Sequence, residues 1–123
     1  MSNASDYSEN EIADWIGANG APGAVANTYV KLHIGAPGEN GTSNPAAETD
    51  RVEATFDPAS GGVVALTATV SWTSVAATET YTHFSLWDNI SAGNCLGWGA
   101  LTGSVPVNAG DNFDLTALTI TVT

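Results

Sequence analysis

The chain has 123 residues, which suits a single folded domain, and 43% of them are hydrophobic, which argues against disorder. Thirteen acidic residues stand against only two basic ones, Lys31 and Arg51, so the net charge is −11. Binding to nucleic acid or to an anionic membrane requires clustered Lys or Arg side chains, and this composition therefore excludes both partners.

The first predicted element is a short helix over residues 6–17. Asp6 and Glu9 have the spacing of a capping box, and a glycine at position 17 is a natural stop. The apolar residues recur at helical spacing on one stripe, Ile12, Trp15 and Ile16. Because an isolated helix of about three turns is marginal in water, we expect this stripe to dock on another surface.

The later segments alternate apolar and polar residues with a period of two, as half-buried β-strands do. The predicted strands cover residues 28–34, 51–56, 63–72, 81–87, 96–101, 112–115 and 118–122. Large residues on both faces of the fourth of these indicate a central strand or a contact surface. Gly97 and Gly99 leave room for an aromatic ring or a neighbouring backbone. We predict a mainly β fold, a single antiparallel β-sandwich or barrel-like domain over residues 1–123, with about six to eight short strands and one short N-terminal α-helix.

Few residues could support catalysis or bind a metal. Cys95 is the single cysteine and no nucleophile motif surrounds it, so we interpret it as a half-buried apolar residue. His33 and His83 lie too far apart in sequence for a zinc motif. One acidic loop offers oxygen ligands for calcium, although in a spacing that matches no calcium-binding motif: Glu39, Asn40, Glu48 and Asp50. We predict no catalytic residue, no metal site and no cofactor.

The four tryptophans divide into two pairs. Trp15 and Trp72 lie on apolar stripes and are predicted to be core residues. Trp87 and Trp98 could instead face a partner, because they do not belong to such stripes.

Short motifs follow one another in a fixed order along nearly the whole chain. They are Asp6-Tyr7-Ser8-Glu9-Asn10, Thr28-Tyr29-Val30-Lys31-Leu32, Pro37-Gly38-Glu39-Asn40-Gly41, Arg51, Phe56 with Ala59-Ser60-Gly61-Gly62, Thr82-His83-Phe84-Ser85-Leu86-Trp87-Asp88, Gly99-Ala100-Leu101-Thr102 and Val107-Asn108-Ala109-Gly110-Asp111. Together they resemble a family of small tailed-bacteriophage virion proteins, commonly labelled tail-fibre-like or head-decoration proteins. The resemblance implies a structural protein of the virion without catalytic residues.

With the acidity and small size of the chain, the resemblance leads us to expect a non-enzymatic decoration or cement protein on the outer face of the phage head. Its expected partners are the major capsid protein and copies of itself, as a homo-oligomer and most simply a trimer. Residues 1–6 lack the features of a signal peptide, so we expect assembly in the host cytoplasm. The candidate contact residues are Ile12, Trp15, Ile16, Glu39, Asn40, Arg51, Trp87 and Trp98.

The alternative is a tail or tail-fibre component that contacts the host surface. In that case Trp87 and Trp98 would bind a host glycan by stacking against its sugar rings. The sequence leaves the head and the tail open as locations, and it leaves the oligomeric state open.

Overall fold

A computed structural model describes residues 3–122 of the chain. In this range it contains one helix and eight strands, so the predicted mainly β, antiparallel fold with a single short helix is confirmed. Met1, Ser2 and Thr123, which the predicted domain includes, lie outside the described residues. The elements are α1 (Asp6–Ile16), β1 (Thr28–His33), β2 (Val52–Ala54), β3 (Val63–Ala65), β4 (Val70–Trp72), β5 (Glu79–Trp87), β6 (Cys95–Val107), β7 (Phe113–Leu115) and β8 (Thr119–Thr121).

The largest sheet has four antiparallel strands in the order β2-β1-β5-β6, and two further pairs, β3-β8 and β4-β7, complete the sandwich-like arrangement. The register of β1 on β5 sets Leu32 opposite Phe84 and Val30 opposite Leu86. All four side chains are buried. The large residues on both faces of this strand left a central strand and a contact surface open, and in the structure β5 is a central strand.

One hydrophobic core joins residues of the three sheets. At its centre the Phe113 ring lies 5.6 Å from the Trp72 ring and 5.4 Å from the Tyr81 ring, measured between centroids. Trp72 is 2% exposed, so its predicted position in the core is confirmed. Tilted aromatic contacts of this kind add to the free energy gained by burying the rings.

The N-terminal residues cover part of the free edge of β6. Ala4 pairs with Gly97 in an antiparallel bridge, and the N–H of Trp98 donates to the carbonyl of Asn3. A Cβ at position 97 would lie 2.5 Å from that carbonyl oxygen, so only glycine fits. The predicted close approach of a neighbouring backbone at Gly97 is thereby confirmed.

Three local predictions were wrong. The helix cap is Ser5 and not Asp6, because the bridge of Ala4 to β6 starts the turn one residue earlier. The predicted strand 63–72 is divided into β3 and β4, because its two halves pair with different strands, β8 and β7. The exposed residues between the halves are Thr67, Ala68 and Thr69.

The third error concerns the end of β1. In the predicted strand 28–34, alternation would put Ile34 on the inner face with Val30 and Leu32 and His33 on the outer face, but Ile34 is 48% exposed and His33 is fully buried. The strand ends at His33, and the loop over residues 37–45 folds back on this face and covers the histidine.

Candidate contact surfaces

The helix is fixed to β6 through its first turns. The Ser5 hydroxyl, fully buried, accepts from the Ser8 N–H and donates to the Cys95 carbonyl. The Ser8 hydroxyl donates to the Leu96 carbonyl over 2.6 Å. The first of these bonds satisfies one N-terminal N–H of the helix, and the other two attach the helix start to the sheet edge.

An apolar groove of about 240 Å³ lies between the helix and the sheet edge. Its apolar walls include Tyr7, Ile12, Val25, Leu96 and Val122. The loop that follows the helix forms one side of the groove, since the N–H of Gly23 donates to Glu11 Oε2 over 2.8 Å.

The C-terminal half of the helix extends its apolar stripe into solvent. Trp15 is 60% and Ile16 is 76% exposed, and the helix has no buried residue. The prediction that Trp15 is a core residue was therefore wrong. The physical reason is that the sheet supports only the first turns, so the stripe continues beyond the surface on which it packs.

A second surface forms where the loop over residues 37–45 covers β5 and β6. Gly41 is the closest point, with φ +73°, and a Cβ there would lie 2.6 Å from Cys95 Sγ and 2.9 Å from Trp87 Cζ2. Only glycine combines that backbone conformation with that proximity. The loop therefore packs directly on Cys95 and Trp87, which are both buried.

A chain of polar contacts runs beneath this loop. The Trp87 Nε1–H donates to Ser85 Oγ over 2.8 Å, and Ser85 Oγ lies 2.7 Å from His33 Nε2. His33 Nδ1 lies 3.0 Å from the Ser43 carbonyl, which can only accept. The directions are thereby fixed: Nδ1–H donates to Ser43, and the Ser85 hydroxyl donates to Nε2. The histidine is neutral, and burial lowers its pKa to about 4.

Arg51 closes the outer side of the same cluster. Its guanidinium carbon lies 3.9 Å from the centre of the Trp87 ring, a cation–π contact. The same side chain donates to the carbonyls of Asn89 and Ala92 in the β5–β6 turn, over 2.9 and 2.6 Å. Arg51 therefore joins the start of β2 to that turn and covers one face of the tryptophan.

Glu39 and Asn40 lie at the exposed tip of the loop. Glu39 Oε1 accepts from Trp98 Nε1–H over 3.3 Å, and Trp98 is partly exposed. The Asn40 carboxamide oxygen accepts from the N–H and the hydroxyl of Thr42, which shapes the turn. An open cleft of about 320 Å³ separates this tip from the first turn of the helix, where Tyr7 lines it.

The eight predicted contact residues thus fall into two groups. Ile12, Trp15 and Ile16 share the helix stripe, and the other five gather around the loop over residues 37–45. Trp87 is 7% exposed, so it presents no ring face to a partner. Val25 and Val122 also line the groove, but no local sequence pattern connects them to the helix, so they could not be predicted as part of this surface.

The thiol of Cys95 is buried. Burial raises the pKa of the Cys95 thiol to about 11. Within residues 3–122, no three His, Cys, Asp or Glu side chains form a group that could hold a metal ion. Across the same range, no helix combines the length and the apolar character that crossing a membrane requires.

Comparison with known protein families gives the class of the protein, a fibre-related structural protein of the bacteriophage virion. The matching family model is described as "Podophage GP4 fiber I protein gp80" and aligns with residues 3–123. Because the match covers nearly the whole chain, the chain belongs to this family. No curated protein matches the sequence significantly.

Proposed function

We propose that the protein is a non-enzymatic component of the phage tail or its fibres that acts by binding other virion proteins. The observation that carries this proposal is the family match over residues 3–123. The exposed apolar stripe of α1 supports it, because large exposed apolar surfaces in soluble domains mark interaction sites.

The state of the reactive groups supports a non-enzymatic role. A cysteine with a pKa of about 11 carries almost no thiolate near neutral pH, and a histidine with a pKa of about 4 does not take up a proton there. His83 Nδ1 is paired with the hydroxyl of its neighbour Thr82. The Thr82 and Ser85 hydroxyls each lie beside a histidine ring, but among residues 3–122 no carboxylate is bonded to either ring to complete a triad.

A capsid decoration or cement protein is the second candidate. The small size of the chain and its net charge of −11 favour it, because such a protein covers subunit junctions with a solvated outer face. In that role the partners would be the major capsid protein and further copies of the chain, in a trimer. A fibre component can also be a homo-oligomer, so oligomeric state does not separate the two candidates.

Fractionation of purified virions tests the location. Tails and tailless heads are separated, and the protein is quantified in each by mass spectrometry. A few copies per particle that remain with the tails support the proposal. Hundreds of copies on tailless heads would instead establish decoration, and absence of the protein from purified virions would exclude both.

Contact with a host glycan is a further property of a fibre that can be tested. Trp98 is the candidate for stacking on a sugar, since Trp87 is buried beneath Arg51 and Gly41. Binding to a glycan array that is lost in Trp98→Ala and retained in Trp15→Ala would support host recognition. An array without binding above background would argue against it.

A further inference from the structure

The apolar stripe of α1 has an acidic border on each side. Each residue advances about 100° around the helix axis. By this rotation Glu9 falls on the side of the stripe next to Ile16, and Glu11 falls on the other side, next to Trp15. Asp6 and Asp14 extend the negative charge around the helix, and the last turn has no basic residue. Among residues 3–122, none of these carboxylates takes part in an ion pair.

Among residues 3–122, no cationic surface matches this border. The two basic residues of the chain both belong to the sheet region, and Arg51 is already engaged with Trp87 and two carbonyls. Lys31 is partly buried in β1, and burial together with the neighbouring Arg51 charge lowers its pKa. A second copy seated on the stripe would bring further negative charge, and its Lys31, the one basic side chain not engaged with other described residues, could not supply a positive charge on both sides of the helix.

A partner that covers the stripe must also remove water from the flanking carboxylates. Taking a carboxylate out of water is costly unless an opposite charge accompanies it. The exposed Trp15 and Ile16, together with the groove of about 240 Å³ that Ile12 of the same stripe lines, can meanwhile accept an apolar side chain. The surface therefore has an apolar centre and an acidic border.

We propose that this surface binds another virion protein through a segment that inserts an apolar side chain into the groove and places Lys or Arg side chains on both sides of the helix. The inference rests on the proposed function, because it takes the partner from the same particle. If copies of the chain associate with one another, they therefore do so through a different surface.

Photo-crosslinking in the virion identifies the occupant. A photoreactive phenylalanine analogue replaces Ile16, and in a control it replaces Ile90, which is 61% exposed in the β5–β6 turn. Both proteins are supplied to a phage that lacks its own copy, and adducts from purified virions are sequenced. At position 16 we expect an adduct with a different virion protein. The crosslinked residue of that protein should lie within about five residues of a Lys or Arg, because an extended segment of that length can reach from the stripe to the acidic border. The control at position 90 is expected not to give this adduct.

Three outcomes at position 16 would overturn the proposal: an adduct with a second copy of the chain, an adduct with a segment free of basic residues, and no adduct in virions that contain the protein. Absence of the protein from virions would be a different result. It would refute the proposed function, and this inference with it.

Charge variants test the acidic border and keep the apolar centre, because a glutamine at position 11 retains an oxygen that can accept from the Gly23 N–H. Glu9→Gln with Glu11→Gln is expected to lower the number of copies per virion about five- to tenfold, because two charge pairs at the rim are lost. The matched control, Asp57→Asn with Asp114→Asn, removes two exposed charges elsewhere and should leave incorporation unchanged. Equal incorporation of both variants would contradict the charge-matched interface.

Discussion

Two regions of the molecule each contain a tryptophan, which is buried in one region and exposed in the other. Trp87 lies under the loop over residues 37–45, with its N–H bonded to Ser85 and its ring covered by Arg51. Trp15 lies on a helix that is attached only at its start, and 60% of its surface is exposed. The same type of side chain is therefore packed inside the fold in one region and exposed to solvent in the other.

The polar residues of the two regions also differ in whether they have partners within the chain. Beneath the loop, His33, Ser85 and Trp87 satisfy one another, so no partner is needed there. On the helix, the carboxylates beside the apolar stripe have no counter-charge within the described residues. The region whose polar groups are paired within the chain stabilises the fold. The region whose carboxylates lack a counter-charge is the better candidate for binding a partner.

Truncating the two tryptophans should give the largest contrast. Trp87→Ala is expected to lower the free energy of unfolding by about 3–5 kcal/mol, because it leaves a cavity beneath the loop. Trp15→Ala should change it by less than about 0.5 kcal/mol, since the side chain is largely in solvent. Urea denaturation of both variants checks this, and equal losses would refute the distinction between the regions.

The loop that covers Trp87 can be disturbed directly. Gly41→Ala is expected to cost about 3 kcal/mol, through the positive φ and the clash with Cys95 and Trp87. Gly38→Ala has a similar φ of +78° but meets only Ser43 Oγ at 3.8 Å, so it should cost about 1 kcal/mol. Thermal unfolding of the pair separates the steric effect from the backbone effect. A cost at position 41 no greater than at position 38 would show that the loop is not tightly packed.

The buried histidine predicts a loss of stability in acid. The pKa of His33 is about 4 in the folded chain and about 6.5 when unfolded, so below pH 6.5 the unfolded state binds a proton that the folded state does not. This contribution is complete above pH 6.5 and is lost as the pH falls towards 4, by about 3 kcal/mol in full. Urea denaturation from pH 7 to 4 should show a steeper loss in the wild type than in His33→Gln. Trp15→Ala serves as the control, because it changes an exposed side chain that does not titrate, and it should retain the wild-type slope.

The smallest effect is expected in the core. The Tyr81 hydroxyl is buried and has no hydrogen-bond partner among the described residues, so Tyr81→Phe should raise the free energy of unfolding by about 1 kcal/mol. Tyr7→Phe, on the exposed helix, is the matched control and should change it by less than about 0.5 kcal/mol. A destabilised Tyr81→Phe would reveal that the hydroxyl has a partner in solution.

Local pattern was sufficient for much of the fold. The helix, its end at the glycine of position 17 and the antiparallel β character follow from residue spacing, because period and turn chemistry are local properties. Pattern failed at His33 and Ile34, where a returning loop decided which face was covered. For the candidate contacts, spacing correctly grouped Ile12, Trp15 and Ile16, but it could not show that the sheet supports only the beginning of their stripe.

The mainly β character, the acidity and the scarcity of reactive groups could be predicted from the sequence alone, because they depend on composition and periodicity. That Trp87 is buried and Trp15 is exposed became visible only in the tertiary structure. Burial depends on which distant segments meet, and here Gly41 and Arg51 cover one tryptophan while no described segment covers the other.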